Sequence, residues 1–300
     1  MKNITLWIGG IMFALLVFVM FAGQYLPFID QTLTPEKHRW SQDERLILPP
    51  YEPSSKNLLG SDKDGVDNLS KIIMGTKETL LIIFSITALR YMIAVPLGLS
   101  AYRKSGVANS ILTVWNQLFS YLPTLFSAIL LLSLPFLLFA SWRLLWVILI
   151  LAAIEVGRVA YLIQQQIHQI SREPFVEAGH ALGLSPWRLT RSYFIPTMIP
   201  EIVVNFCVDL GKVTLLIGQL GVLSIFLSQE WVEVNEMSMI LMNTSNNWMS
   251  LLASMRADIY VSKFTYIFYP ALAIMFTILT FNVLGEGIRR HFNRRIHNYL

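Results

Sequence analysis

One cysteine is all the 300-residue chain contains. Cys207 lies inside an apolar run, so one chain can build neither a disulfide framework nor a cysteine-based zinc site. Charge is scarce too. Asp, Glu, Lys and Arg make up 14% of the residues, where a soluble domain carries roughly 25%. Hydrophobic residues reach 54% and mean hydropathy is +0.54, which excludes an ordinary soluble globular protein. There is no G-x-x-x-x-G-K-[ST] motif: the only Gly-Lys pair, Gly211-Lys212, lacks the upstream glycine, so no P-loop binds ATP here. The histidines, His38, His168, His180, His291 and His297, form no H-E-x-x-H and no paired spacing in an apolar segment, and no nucleophile elbow or triad context exists. Metal and hydrolase chemistry are therefore not expected. Short alternating segments of the transmembrane-barrel type are missing as well.

What the chain has is long apolar runs. A hydrocarbon core about 30 Å thick takes roughly 20 helical residues, and a backbone inside it must satisfy its own hydrogen bonds. The reading is an all-α membrane protein with six transmembrane helices, near Leu6–Leu26, Thr79–Ala101, Ile111–Phe139, Leu144–Leu162, Ile199–Leu227 and Phe264–Val283. The first run is longer than a signal-peptide core and lacks a small-residue cleavage site, so it reads as a retained anchor over 1–28. Pro123 and Pro135 predict a third span that is tilted, kinked or broken near its outer end.

A polar segment over 29–77, rich in Pro, Asp and Ser, separates the anchor from a membrane core over 78–290, which a basic tail over 291–300 follows. Short-loop Lys and Arg set the orientation. With the N-terminus inside, Lys2, Arg103, Lys104, Arg172, Arg188, Arg191, Arg289, Arg290, Arg294 and Arg295 all fall on the cytoplasmic side. Both termini are then cytoplasmic, while 29–77 and a Met- and Trp-rich loop over 228–263 face outward. That loop reads as a re-entrant or docking surface, or as an interfacial belt.

Ionisable residues inside spans require named partners. Asp209 and Lys212 are three apart on one helical face, as are Glu155 and Arg158; Arg90 stands alone in the second span. Arg90, Asp209 and Lys212 are candidates for a polar translocation path, against the plainer expectation of ion pairs internal to the bundle.

The stretch "EAGHALGLSPWRLTR" resembles a helix-turn-helix, but it lies in a short cytoplasmic loop over 171–196 tethered to the membrane at both ends. Reading a major groove from there is impractical, and Glu173 and Glu177 offset its arginines, so no nucleic-acid partner is expected. A two-helix platform in that place suits receipt of force from a soluble motor. The stretch is similar to the E-A-A-x₃-G-x₉-I-x-L-P loop of ATP-binding-cassette importer permeases. Glu177, Ala178 and Gly179 stand at E-A-A, Gly183 at the glycine, and Tyr193, Ile195 and Pro196 at I, L and P; Gly179, Tyr193 and Ile195 depart from the pattern.

"NLLGSDKDGVDNLSKIIMGTKETLLI" and "YPALAIMFTILTFNVLGEGIRRHFNRR" resemble two further signatures of dipeptide, oligopeptide and nickel transporter permeases, with Val66 and Asn68 as departures. The resemblance covers roughly Asn57 to Arg295 and points to the second permease subunit of that family. It implies the type I importer permease fold in a bacterial plasma membrane, surrounded by lipid. It implies a non-catalytic transport subunit for peptides, coupled through Glu177, Ala178, Gly179, Gly183 and Pro196 to separate ATPases. It implies no cofactor in this chain, with ATP and Mg held by the ATPase partners. The other implied partners are a second permease and an extracytoplasmic substrate-binding protein. The alternative is a self-sufficient ion-coupled transporter or channel using the buried charges, though no internal repeat supports it.

Overall fold

A computed structural model of the chain describes residues 3–40, 46–138, 140, 142–235, 238–256 and 264–297. Lys2, Phe139, residues 236–237 and 257–263 of the outward loop, and the last three residues of the basic tail, all used in the sequence reading, lie outside these. Helices dominate: α1 (Ile4–Ala22), α2 (Asn68–Ser100), α3 (Gly106–Ser120), α4 (Thr124–Leu132), α5 (Pro135–Leu138), α6 (Arg143–Ile170), α7 (Pro174–Ala181), α8 (Pro186–Leu189), α9 (Ile195–Val222), α10 (Trp248–Arg256) and α11 (Phe268–His297). Two small antiparallel ribbons accompany them, β1 (Arg39–Trp40) with β2 (Leu46–Ile47), and β3 (Gln229–Asn235) with β4 (Ser238–Asn243).

Among the described residues, four helical segments are long and apolar enough to cross a membrane: Ile4–Tyr25, Asn68–Ser100, Arg143–Ile170 and Phe268–Asn293. The expected third span is broken: α3 and α4 meet at 92°, and as a bent pair they make a fifth candidate. Pro123 stands at the N-cap of α4 and Pro135 opens α5, so each proline begins a new helix where it cannot continue the old one. The sharp bend falls inside the expected span, and a second break, between Leu132 and Pro135, falls near its outer end. The fifth expected span is α9, 28 residues long, whose Glu201, Asp209 and Lys212 dilute its hydropathy.

The second helix starts at Asn68, ahead of the expected Thr79, because Asp67 caps it: its Oδ2 accepts from the Ser70 N–H at 2.8 Å and from the Ser70 hydroxyl at 2.7 Å. Polar first turns do not register in a hydropathy reading. The β3–β4 ribbon also went unpredicted. Its strands pair from Gln229↔Asn243 to Glu233↔Met239, with an irregularity between Glu233 and Asn235, inside the segment read as a belt or docking loop.

The chain divides into two compact units whose boundaries fall within α1, α2, α9 and α11. The first unit comprises 1–9, 84–210 and 281–300. Its core gathers Tyr91 and Ala94, then Val156, Val159, Ala160 and Ile163, then Val176, Leu189, Phe194 and Met198. Small residues allow close helix approach there. A Cβ on Gly157 would lie 2.7 Å from the Asn116 nitrogen, and one on Gly287 would lie 2.6 Å from the Leu6 Cα.

The second unit comprises 10–83 and 211–280. The polar segment is folded within it. Asp62 Oδ1 accepts from the N–H groups of Asp64 and Val66, both at 2.9 Å, and Asp62 pairs with Lys71. Gly60 and Gly65 hold φ of +68° and +82°, which a side chain would oppose. Tyr51 is buried and its carbonyl accepts from the Tyr266 hydroxyl at 2.8 Å. Further along α2, Glu78 accepts from Ser245 and Asn247, and Trp248 Nε1 donates to the Ile72 carbonyl at 2.8 Å. The signature "LGSDKDGVDN" is therefore a turn followed by a helix cap.

Candidate coupling platform and buried charges

The platform is two short helices and a turn, all within the first unit. Pro174 opens α7, where its missing N–H costs nothing. α7 ends in a Schellman arrangement: the Gly183 N–H donates to the His180 carbonyl at 2.9 Å and the Leu184 N–H to the Gly179 carbonyl at 3.1 Å. That geometry puts Gly183 at φ +75°, the left-handed region glycine enters freely. Ser185 then caps α8, its hydroxyl accepting from the Arg188 N–H at 3.4 Å, with Pro186 in the first turn. A π-helical turn, Thr190–Phe194, leads into α9, where Pro196 occupies the first turn.

Val176, Leu189 and Phe194 point inward and are fully buried; Phe175 stacks on Tyr193 at 5.9 Å, and Tyr102 meets Phe194 at 5.1 Å. The opposite surface carries Glu177, Ala178 and Ala181, and with them Leu182 at 81% exposure and Trp187 at 71%. Ala178 and Ala181 are exposed, but Gly179 faces inward. A Cβ there would lie 2.9 Å from Leu189 Cδ2 and 3.3 Å from Leu184 Cδ1, so its smallness serves the packing of α7 against Leu184 and α8.

Side-chain bonds tie α6, which leads into the platform, to the α2–α3 turn and α3. Gln164 Nε2 donates to the Ala101 carbonyl and to Asn109 Oδ1, both at 2.7 Å. His168 Nδ1 lies 3.0 Å from the Tyr102 carbonyl, and Lys104 donates to Gln165 at 2.7 Å. α7 and α8 themselves meet these helices through a shared core, in which Val176, Leu189 and Phe194 gather with Val159, Ala160 and Ile163 of α6, and through the Tyr102–Phe194 contact.

The arginine left alone in the second span by the sequence reading has a partner. Arg90, at 1% exposure, bridges to Asp209, at 3%, across 3.4 Å, and also donates to the Leu151 carbonyl at 3.0 Å. Asp209 thus meets a cation from α2, while Lys212, one turn further along α9, is exposed. No spacing rule could find a partner 119 residues away. Glu155 and Arg158 do form the expected pair, and Thr124, at the start of α4, donates to the same buried carboxylate. Charges at mid-membrane cost about 2.5–3.5 kcal/mol each on insertion scales, and both pairings offset that. No metal-holding group of His, Cys, Asp or Glu occurs among the described residues.

Comparison with known proteins agrees with this architecture. The chain is 27% identical over 283 residues to the glutathione transport system permease protein GsiD of Pectobacterium atrosepticum, covering 94% of this chain and 84% of that one. It is 24% identical over 243 residues to the probable D,D-dipeptide transport system permease protein DdpC of Escherichia coli, covering 81% and 74%. Residues 94–298, which hold the platform, α6, α9 and α11, match the family described as binding-protein-dependent transport system inner membrane component, so the chain belongs to that family of membrane permeases.

Proposed function

We propose that this chain is the second-type permease subunit of a bacterial ATP-driven peptide importer and carries no catalytic site of its own. In this reading two ATPase subunits bind ATP and Mg, an extracytoplasmic protein delivers the substrate, and a second permease completes the path. Both termini are cytoplasmic. The substrate is a short peptide, as the names of the two relatives suggest for their own systems. Nucleotide-driven closure of the ATPases moves the Glu177–Pro196 platform, and the helices switch between inward- and outward-facing arrangements.

The observation carrying this reading is the platform itself: a capped helix pair with Leu182 and Trp187 laid bare, sharing a core with α6. Affinity purification of the tagged chain in mild detergent, with mass spectrometry of stoichiometric partners, tests it. A second permease and P-loop ATPases are expected; an intact preparation of this chain alone would remove the importer reading. In the assembled complex, Glu177→Lys and Gly183→Val are expected to leave ATP hydrolysis running while peptide uptake stops. Full uptake in both variants would take the coupling role away from the platform.

A further inference from the structure

The Arg90–Asp209 pair is closed off on all sides, whereas the Glu155–Arg158 pair is open on one. Within residues 151–160 of α6 the only exposed residue is Arg158, whose side chain is 46% accessible. It lies four residues before the end of the expected span Leu144–Leu162, beyond which α6 continues to Ile170. A guanidinium near the edge of an apolar span ordinarily extends toward the polar boundary. Arg158 instead turns back one helical turn to Glu155, whose carboxylate is pinned from the other side by Thr124 at the start of α4.

The exposed face continues from there through Tyr161, Leu162 and Gln169, with Gln165 half-buried between them. Lipid tails are a poor environment for such a stripe, and Arg158 has donors left over after one carboxylate contact.

We propose that Arg158 faces a water-filled path in the assembled importer and is a binding position for a carboxylate, that of the transported peptide, with Glu155 as its positioning residue. In the empty state the buried Glu155 carboxylate keeps the guanidinium oriented, with the cation on the exposed side of the pair. An arriving carboxylate takes the free edge of the fork, the geometry that suits Arg to carboxylates. This rests on the importer reading above.

The test uses the purified complex in nanodiscs with Cys207→Ser and Tyr161→Cys, a thiol one turn from Arg158. Its reaction rates with an anionic and a cationic methanethiosulfonate reagent are compared, with and without vanadate trapping of the ATPases. Relative to each reagent's rate with a free thiol, the anionic reagent is expected to react faster by about fivefold or more, with the preference lost or reversed in Arg158→Gln, where the Glu155 carboxylate is left without its cation, since a nearby fixed cation concentrates anions. Both rates are expected to change on trapping. No reaction, equal rates with Arg158 present, or rates indifferent to trapping in a complex that holds its ATPases would overturn the proposal. Leu162→Cys gives the same reading if Tyr161→Cys fails to assemble. Recovery without ATPases would instead count against the importer reading, and the charge preference on the recovered chain still decides whether Arg158 faces water.

Discussion

At residue scale, the buried pair and the platform glycines give opposite tests of what a side chain is for. Arg90 and Asp209 neutralise each other out of water, and a buried pair with one partner removed typically costs about 3–5 kcal/mol while replacing both with apolar residues is far milder. Asp209→Asn is therefore expected to lower the yield and thermal midpoint of detergent-purified chain sharply, and Arg90→Met with Asp209→Leu to recover most of the loss. If the double variant were stable yet lost transport entirely, the pair would belong to the path after all. The glycines differ from each other. Nothing lies within 4 Å of a Cβ on Gly183, so only its φ of +75° resists substitution, by about 1–2 kcal/mol for most residues and less for Asn. At Gly179 the backbone is ordinary helix and the obstacle is Leu189. Gly179→Ala gains about 1 kcal/mol of helix propensity against a small side-chain shift, so its thermal midpoint should stay near wild type, while Gly179→Leu should fall well below it.

At element scale, the polar segment is held by carboxylates that stay ionised in acid. Arg39, by its hydrogen bond, and then Lys56 bring Glu36 down to about 2 against burial, and the hydroxyls of Thr32 and Thr34 hold Asp30 well below the ordinary range. Both groups are more acidic folded than unfolded, so the stability they give is fully present above about pH 4.5 and is lost as pH falls toward the folded values. Glu36 is partly exposed, and solvent screening keeps the effect modest. Amide exchange across 36–67, corrected for the intrinsic effect of pH, is expected to be equal at pH 7 and 5 and to quicken below pH 4.5, with a weaker acid response in Glu36→Gln. An unchanged response would show that other groups set the acid limit. Local grammar announced such elements well where the cause was local: Pro174, Gly183, Ser185 and Pro186 punctuate the platform where the sequence places them. It failed where the cause was distant or polar, as with the Arg90 contact to Asp209, the start of α2 behind Asp67, and the β3–β4 ribbon.

At the scale of the whole molecule, the bent α3–α4 pair decides how the chain threads the membrane. A pair bent by 92° is either one broken span or a re-entrant loop that returns to its starting side. The choice has a parity consequence. The 29–67 segment follows α1, and the 171–196 platform follows α2, the bent pair and α6 in turn. If the pair crosses, the platform lies on the side opposite the 29–67 segment and the same side as the end of α11; if it returns, the platform joins the 29–67 segment. The platform's basic residues Arg172, Arg188 and Arg191 favour the cytoplasmic side, in keeping with Arg289 and Arg290 on α11. Cys207 is the sole cysteine and is buried, so a Cys207→Ser background takes single reporters cleanly. In intact cells an impermeant maleimide is expected to label Ser55→Cys at once, and Arg172→Cys and Asn293→Cys only after permeabilisation. Labelling of Arg172→Cys from outside, together with Ser55→Cys, would make the bent pair re-entrant and place the platform where no cytoplasmic ATPase could reach it.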